Sequence, residues 1–133
     1  MMVKLKSFDE LLLTELYQIV QLREKVFTFE QKVEEEDFDG EDLKAMHVFL
    51  EKDNHVVAYG RFFKPGDKYG EALSFGRFVV SKAYRGQGFA QAIFQKFLDY
   101  AAHHYPEVDI VLSSQYYIKN FYEKFAFKGV GDI

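Results

Sequence analysis

The sequence predicts an α/β (α+β) domain, a mixed central sheet flanked by helices. Three observations carry this expectation. Residues 47–80 read as successive strand-like runs joined by short turns, the pattern of antiparallel neighbours. Two segments, residues 14–29 and 88–103, carry apolar residues at helical spacing. From residue 72 onward, strand-like and helical segments alternate, which places crossover helices against a sheet. A length of 133 residues suits one domain spanning 1–133.

Taken in order, residues 3–7 (VKLKS) alternate and read as a first strand. Thr14 is the expected N-cap of a helix running to about Phe29. Its positions Leu16, Ile19, Val20, Val26 and Phe27 form one buried stripe, on which Arg23 falls, with Glu30 seven residues further on. Residues 33–42 (VEEEDFDGED) hold seven acidic side chains in ten and read as a solvated acidic loop. A short helical turn should precede a strand at His47–Glu51. Asp53 and Asn54 then suggest a hairpin into a strand at His55–Phe63.

A loop with Gly66 and Gly70 leads to a strand at about Ala72–Val80, where Gly76 points to a bulge or a close backbone approach. A helix from about Gly88 to His103 buries Phe89, Ile93, Phe94, Phe97, Leu98 and Ala101, and Pro106 marks its end. Asp109–Ser113 reads as a strand, Tyr116–Phe125 as a shorter helix and Phe127–Ile133 as a last strand.

Composition excludes several classes. A hydrophobic fraction of 48% argues for a packed core and against disorder. No apolar run reaches the roughly 18 residues of a membrane span, and MMVKLKSFDE lacks the apolar core of a signal peptide. A cytoplasmic protein without a membrane partner is expected. The absence of Cys removes disulfides and thiolate metal sites, and the four histidines show no zinc spacing. A net charge of −4 disfavours nucleic-acid binding. A calcium loop aligned on Glu35, Asp37, Asp39 and Gly40 places its final chelator at Met46, which cannot serve. No metal is expected.

Residues 85–90, R-G-Q-G-F-A, open the second helix and suit an anion. Glycines let a ligand approach the backbone, and the first helical amides are unpaired and face the positive end of the dipole. Arg85 adds a cation. The alternative is that Gly86 and Gly88 merely make a tight turn. The dinucleotide fingerprint fails because Gln91 stands where a glycine is needed, and no G-K-[ST] follows for a nucleotide P-loop.

Residues 78–94 (FVVSKAYRGQGFAQAIF) and 120–131 (NFYEKFAFKGVG) resemble the GNAT superfamily of N-acetyltransferases. The second segment resembles the family's F-Y-x-x-x-G-F, with Ala126 in place of the glycine. ELYQIVQLREKVFTFEQ, D-F-D-G-E-D and His47 resemble its ElaA-like subgroup. The resemblance implies acetyl-CoA (coenzyme A) as co-substrate. The amides of Arg85, Gly86, Gln87, Gly88, Phe89 and Ala90 would hold its pyrophosphate, and the strand edge at Phe78, Val79 and Val80 would pair with the pantetheine arm. Gln115 falls where relatives often carry a cofactor-facing Asn, and Asn120 is a second polar candidate. Tyr122 matches the family's general acid toward the leaving sulfur, and a phenol is protonated at neutral pH. Spacing alone also allows Tyr122 a core place beside Ile118, Phe121 and Phe125.

Acetyl transfer to an amine also calls for a base and an acceptor site. Glu30 is the candidate base, taking the amine proton through water, and Arg23 could orient the acceptor or Glu30; the two could equally form a buried ion pair. Arg77 could face the acceptor or solvent, and His47 could satisfy a local backbone contact. The acidic loop would draw in a cationic amine if it borders the acceptor cleft. The expected function is transfer of acetyl to a primary amine of a small molecule, polyamine or lysine-like peptide group in a ternary complex. A catalytically silent acyl-CoA-binding module is the alternative. Relatives usually continue into a final strand beyond the equivalent of Ile133. Either this chain is shortened or a second subunit pairs the exposed edge, so a homodimer is expected on the second reading.

Overall fold

Apolar residues on both faces of the central strands require cover on both sides, and two helical segments supply it. The computed structural model describes residues 2–32, 37–68 and 70–112. Its strands are β1 (Val3–Ser7), β2 (Met46–Lys52), β3 (His55–Phe63), β4 (Leu73–Val80) and β5 (Ile110–Leu112). They form one sheet in that spatial order, antiparallel from β1 to β4 and parallel between β4 and β5. The helices are α1 (Leu13–Arg23), which continues into a π-helical segment at Glu24–Glu30, and α2 (Phe89–His104).

Strand periodicity sorts the core into two layers. Val48, Leu50, Ala58, Phe62, Phe75 and Phe78 pack against Phe89, Ile93, Phe94, Phe97 and Ala101 of α2. On the opposite face, Phe49, Tyr59 and Val79 meet Ile19, Leu22, Val26 and Phe27. The expected stripe of α2 is thus the buried one, with Leu98 half-buried at its margin. Gly60 of β3 lies directly under the ring of Phe75: a Cβ there would come within 2.5 Å of Phe75 Cζ and 3.4 Å of Ile93 Cγ2. The glycine is required by this close approach.

The hairpin between β2 and β3 turns on Asp53 and Asn54, both left-handed at φ 51° and 65°, the pair a two-residue turn demands. The bulge in β4 is also present. Tyr59 faces Val79 and Arg61 faces Gly76, so two steps on β3 match three on β4. Gly76 marks the place, but Arg77 takes the left-handed conformation, at φ 51°. The extra residue resets the face, and Phe75 and Phe78 therefore both point toward α2, their rings 5.2 Å apart.

The first helix differs from expectation at both ends. Leu12 is the N-cap and Thr14 lies within the first turn. The Leu12 N–H donates to Oε1 of Glu15 at 2.9 Å, so the carboxylate three residues on supplies the cap. Glu15 is buried and also receives Lys4 and Lys6 Nζ, each at 2.9 Å. Burial opposes its ionisation, but the Leu12 amide and the two ammonium groups outweigh that and hold its carboxyl down at about 2. At the other end α-helix gives way to wider winding, with Gln31 N–H bonded to Val26 O at 2.8 Å. Leu22, Arg23, Val26 and Phe27 are consequently buried, while Leu16 and Val20 are only half-buried. The expected helix at 116–125 and strand at 127–133 lie outside the described residues.

Candidate active site

β4 ends at Val80, a single 3₁₀ turn follows at Lys82–Tyr84, and the chain then enters the R-G-Q-G-F-A turn. Gly86 and Gly88 stand at φ 79° and 85°. A Cβ at Gly86 would meet nothing within 4 Å, and one at Gly88 only Gln91 Oε1 at 3.6 Å. Their backbone conformation, not crowding, requires glycine here. Gly88 is the N-cap of α2 and supplies no side-chain cap, and the first turn carries no acidic residue. Phe89 is buried beneath this turn and fixes where the helix starts. The early amides of α2 therefore face an exposed loop with the positive end of a sixteen-residue helix behind them. The donor set is chemically suited to a phosphate.

Phe78 and Val79 are buried and Val80 half-buried, so only their backbone is placed to meet a ligand arm. The parallel pairing of β5 with β4 covers Leu73, Ser74 and Phe75; residues 76–80 have no β5 partner among the described residues.

Arg85 is not the simple exposed cation expected. Its Nε donates to Val80 O at 3.0 Å, and Nη1 and Nη2 bind the two carboxylate oxygens of Glu30, the Nη2–Oε1 contact being 2.7 Å. The Arg85 hydrogen bonds, which outweigh a small burial penalty, hold the Glu30 carboxyl below its ordinary range. Glu30 does not meet Arg23.

Arg23 instead anchors a cluster that the sequence did not reveal. It is 2% exposed. Nε donates to Asp37 Oδ2 at 3.0 Å, Nη2 to Asp37 O at 2.8 Å and Nη1 to Asp42 Oδ1 at 2.7 Å. The rings of Phe38 and Tyr59 lie over its guanidinium, their centroids 4.7 and 5.5 Å away. Arg61 of β3, equally buried, forks onto both oxygens of Asp39 at 3.0 and 2.8 Å and reaches Asp42 Oδ1 at 2.9 Å. Arg77 joins through Nε to Asp37 Oδ1 at 2.9 Å and, more loosely, through Nη2 to Asp39 Oδ2 at 3.4 Å. Three guanidinium groups thus meet three carboxylates.

The reading of residues 33–42 as a solvated acidic loop is corrected at Asp37, Asp39 and Asp42, which are counter-ions of buried or half-buried arginines. They contribute no net attraction to a cationic acceptor. Arg23 is enclosed by its partners and presents no free guanidinium, whereas Arg77 is half-exposed at the β4 bulge. Hydrogen bonds from Arg61 hold Asp39 well below the usual carboxylate range. For Asp42, burial raises the pKa but Arg23 and Arg61 prevail and lower it. His47 makes the expected backbone contact, Nε2 to Asp42 O at 3.0 Å, and its Nδ1 lies 2.6 Å from Tyr59 Oη. The geometry suits a neutral imidazole that donates from Nε2 and accepts the Tyr59 hydroxyl proton at Nδ1. Burial lowers the His47 pKa, consistent with that form.

Arg61 is absent from the sequence-based candidates, and Asp37, Asp39 and Asp42 figure there only as part of an acidic loop, without these partners. The available signal was an arginine inside the apolar run HVVAYGRFF, a place a charge occupies only with a partner. Gln115, Asn120 and Tyr122 lie outside the described residues. Among the described residues, no helix is long and apolar enough to cross a membrane.

The sequence model of the acetyltransferase (GNAT) family matches residues 12–127. Protein ElaA of Escherichia coli strain K12 is 36% identical over 127 residues, covering 94% of this chain and 82% of ElaA. The crystal structure of E. coli ElaA superposes with a TM-score of 0.88 at 34% identity, covering 98% of this chain and 89% of that one. An acyl-CoA N-acyltransferase from Pseudomonas aeruginosa does so with a TM-score of 0.88 at 31% identity, covering 99% and 91%. A predicted acetyltransferase from Clostridium acetobutylicum, solved with acetyl-CoA, shares the fold at 16% identity, with a TM-score of 0.70 and 99% and 94% covered. The mixed sheet between two helical layers is the GNAT acyl-CoA N-acyltransferase fold, and the chain belongs to the acetyltransferase (GNAT) family.

Proposed function

We propose that the chain transfers an acetyl group from acetyl-CoA to a primary amine, of a small molecule, polyamine or lysine-like group, by direct transfer in a ternary complex. One observation carries the reading. An exposed helix N-terminus without a side-chain cap, entered through two left-handed glycines, follows a bulged strand after a single 3₁₀ turn. The amides of residues 85–90 would hold the pyrophosphate, and the backbone of Phe78, Val79 and Val80 would align the pantetheine arm. The bound co-substrate supplies an activated thioester.

The chain's part is positioning and proton transfer. Tyr122 is assigned as the acid that protonates the leaving sulfur, on its place in the family-like N-F-Y-E-K segment. Glu30 is less suited to be the base, because two Arg85 N–H groups stabilise its ionised form. Arg77, half-exposed at the bulge, is the described cation best placed to face an acceptor.

Calorimetry with CoA tests the reading. The wild type should bind, and Gly88→Asp should abolish binding by putting bulk and negative charge at the helix N-terminus. Normal CoA binding by that variant would overturn the cradle. Acetylation of an amine panel, followed by mass spectrometry, tests turnover. CoA binding with no turnover, and no effect of Tyr122→Phe, would identify a silent acyl-CoA-binding module.

A further inference from the structure

The glycine turn has little packing to hold its shape. Residues 85–88 are exposed, and no side chain crowds Gly86. Two left-handed glycines also carry large conformational freedom when unfolded. The turn must nevertheless aim several amides at one anion, so its geometry has to be fixed from outside. On its C-terminal side the anchor is Phe89, buried in the α2 core. On its N-terminal side the Tyr84 N–H bonds Ser81 O at 2.9 Å, and the long side chain of Arg85 ties the turn to two other elements. One is the last carbonyl of β4 and the other is Glu30.

Glu30 is itself rigidly mounted. It closes the π-helical segment, whose Val26 and Phe27 are 2% and 3% exposed in the core beside Tyr59 and Val79. Such π winding is uncommon and often found at functional sites. Here it carries the end of the first helix to within reach of the cradle, 55 residues away in sequence. A forked guanidinium–carboxylate pair fixes orientation as well as distance, which a single-point contact does not.

We propose that Glu30 is a positioning residue for cofactor binding: it clamps Arg85 against the end of β4 and so holds the amides of residues 85–90 ready for the pyrophosphate. This rests on the cradle reading above. On this view Arg85 acts chiefly through its own backbone's placement. The carboxylate near the phosphates is tolerated because its charge is already met.

The test is a double-mutant cycle on the full chain by calorimetry, with CoA and with adenosine 3′,5′-bisphosphate, which offers the phosphates without the pantetheine arm. Glu30→Gln should raise the Kd for both ligands by a similar factor, about two- to fivefold, the range of a partly exposed pair. Arg85→Met should do the same. The double variant should be no weaker than the worse single one, since either change releases the same clamp. A merely stabilising pair would lower the melting temperature without this shared, non-additive loss of phosphate affinity. An unchanged or lower Kd in Glu30→Gln, or fully additive losses, overturns the proposal. Gly88→Asp separates the two readings. If it abolishes CoA binding while Glu30→Gln has no effect, the clamp alone is wrong; if it leaves binding intact, the cradle itself is wrong.

Discussion

Asp42 is the carboxylate whose removal should hurt the fold most, because one of its oxygens serves two buried cations. Oδ1 accepts from Arg23 Nη1 at 2.7 Å and from Arg61 Nη1 at 2.9 Å, and both arginines are 2% exposed. Asp42→Ala deletes both bonds and leaves two buried guanidinium groups short of a counter-charge. Hydrogen bonds to charged groups contribute about 1.5–3 kcal/mol each, and breaking a buried pair costs about 3–5 kcal/mol. Arg23 keeps Asp37 and Arg61 keeps its fork on Asp39, so the lower part of that range applies, about 3–4 kcal/mol. For a domain of this size that is a fall in Tm of roughly 10–15 °C. Asp42→Asn retains an acceptor oxygen and should lose about half as much. Urea and thermal unfolding at pH 7 measure both. The loss should change little between low and moderate salt, because both guanidinium groups are buried. A loss below about 1 kcal/mol for Asp42→Ala would refute the claim that this oxygen neutralises two buried charges.

Two further outcomes follow from the described packing. Gly60→Ala drives a methyl into the ring of Phe75, which is itself 1% exposed and stacked on Phe97, so the ring has no room to retreat. A destabilisation of about 1–3 kcal/mol is expected in urea unfolding, and a neutral effect would show that the ring can move. His47 has its folded pKa lowered below 6.5 by burial, so the unfolded chain binds the extra proton first. Its contribution is therefore full above pH 6.5 and is lost as pH falls from there through the folded pKa. His47→Gln should flatten the stability profile in that window, and an unchanged slope between pH 6.5 and 5 would exclude His47 as its source.

Much of the frame was legible because it rests on local rules. Asp53–Asn54 between two apolar runs specifies a hairpin from turn chemistry alone, and the α2 stripe from Phe89 to Ala101 follows helical periodicity. The glycine turn was legible for the same reason, as two glycines and a helix start lie within six residues. What escaped was non-local. Nothing within residues 33–42 distinguishes a solvated aspartate from one whose partner lies 14, 19 or 22 positions away. The pairing of Glu30 was misjudged on the same ground: Arg23, seven residues before it, falls on the same stripe of a regular α-helix. The π winding breaks that register, and the carboxylate turns to Arg85 instead. Leu12 as N-cap was invisible because Glu15, three residues on, provides the acceptor that a capping side chain ordinarily would.

The left-handed residue in β4 belongs both to the ion cluster and to the strand that leads to the glycine turn. A left-handed conformation costs a non-glycine residue about 1–2 kcal/mol, and Gly76, which could adopt it freely, sits one position too early. Arg77 adopts it while its guanidinium is held by Asp37 and Asp39, which pair with Arg23 and Arg61 in turn. Paired regularly, without the bulge, Phe78 would fall on the α1 face, leaving its place beside Phe75 and Phe94 empty. The cluster of arginines and aspartates thus does more than neutralise buried charge. It also holds the side chain of Arg77, the left-handed residue of the bulge that brings Phe78 onto the α2 face.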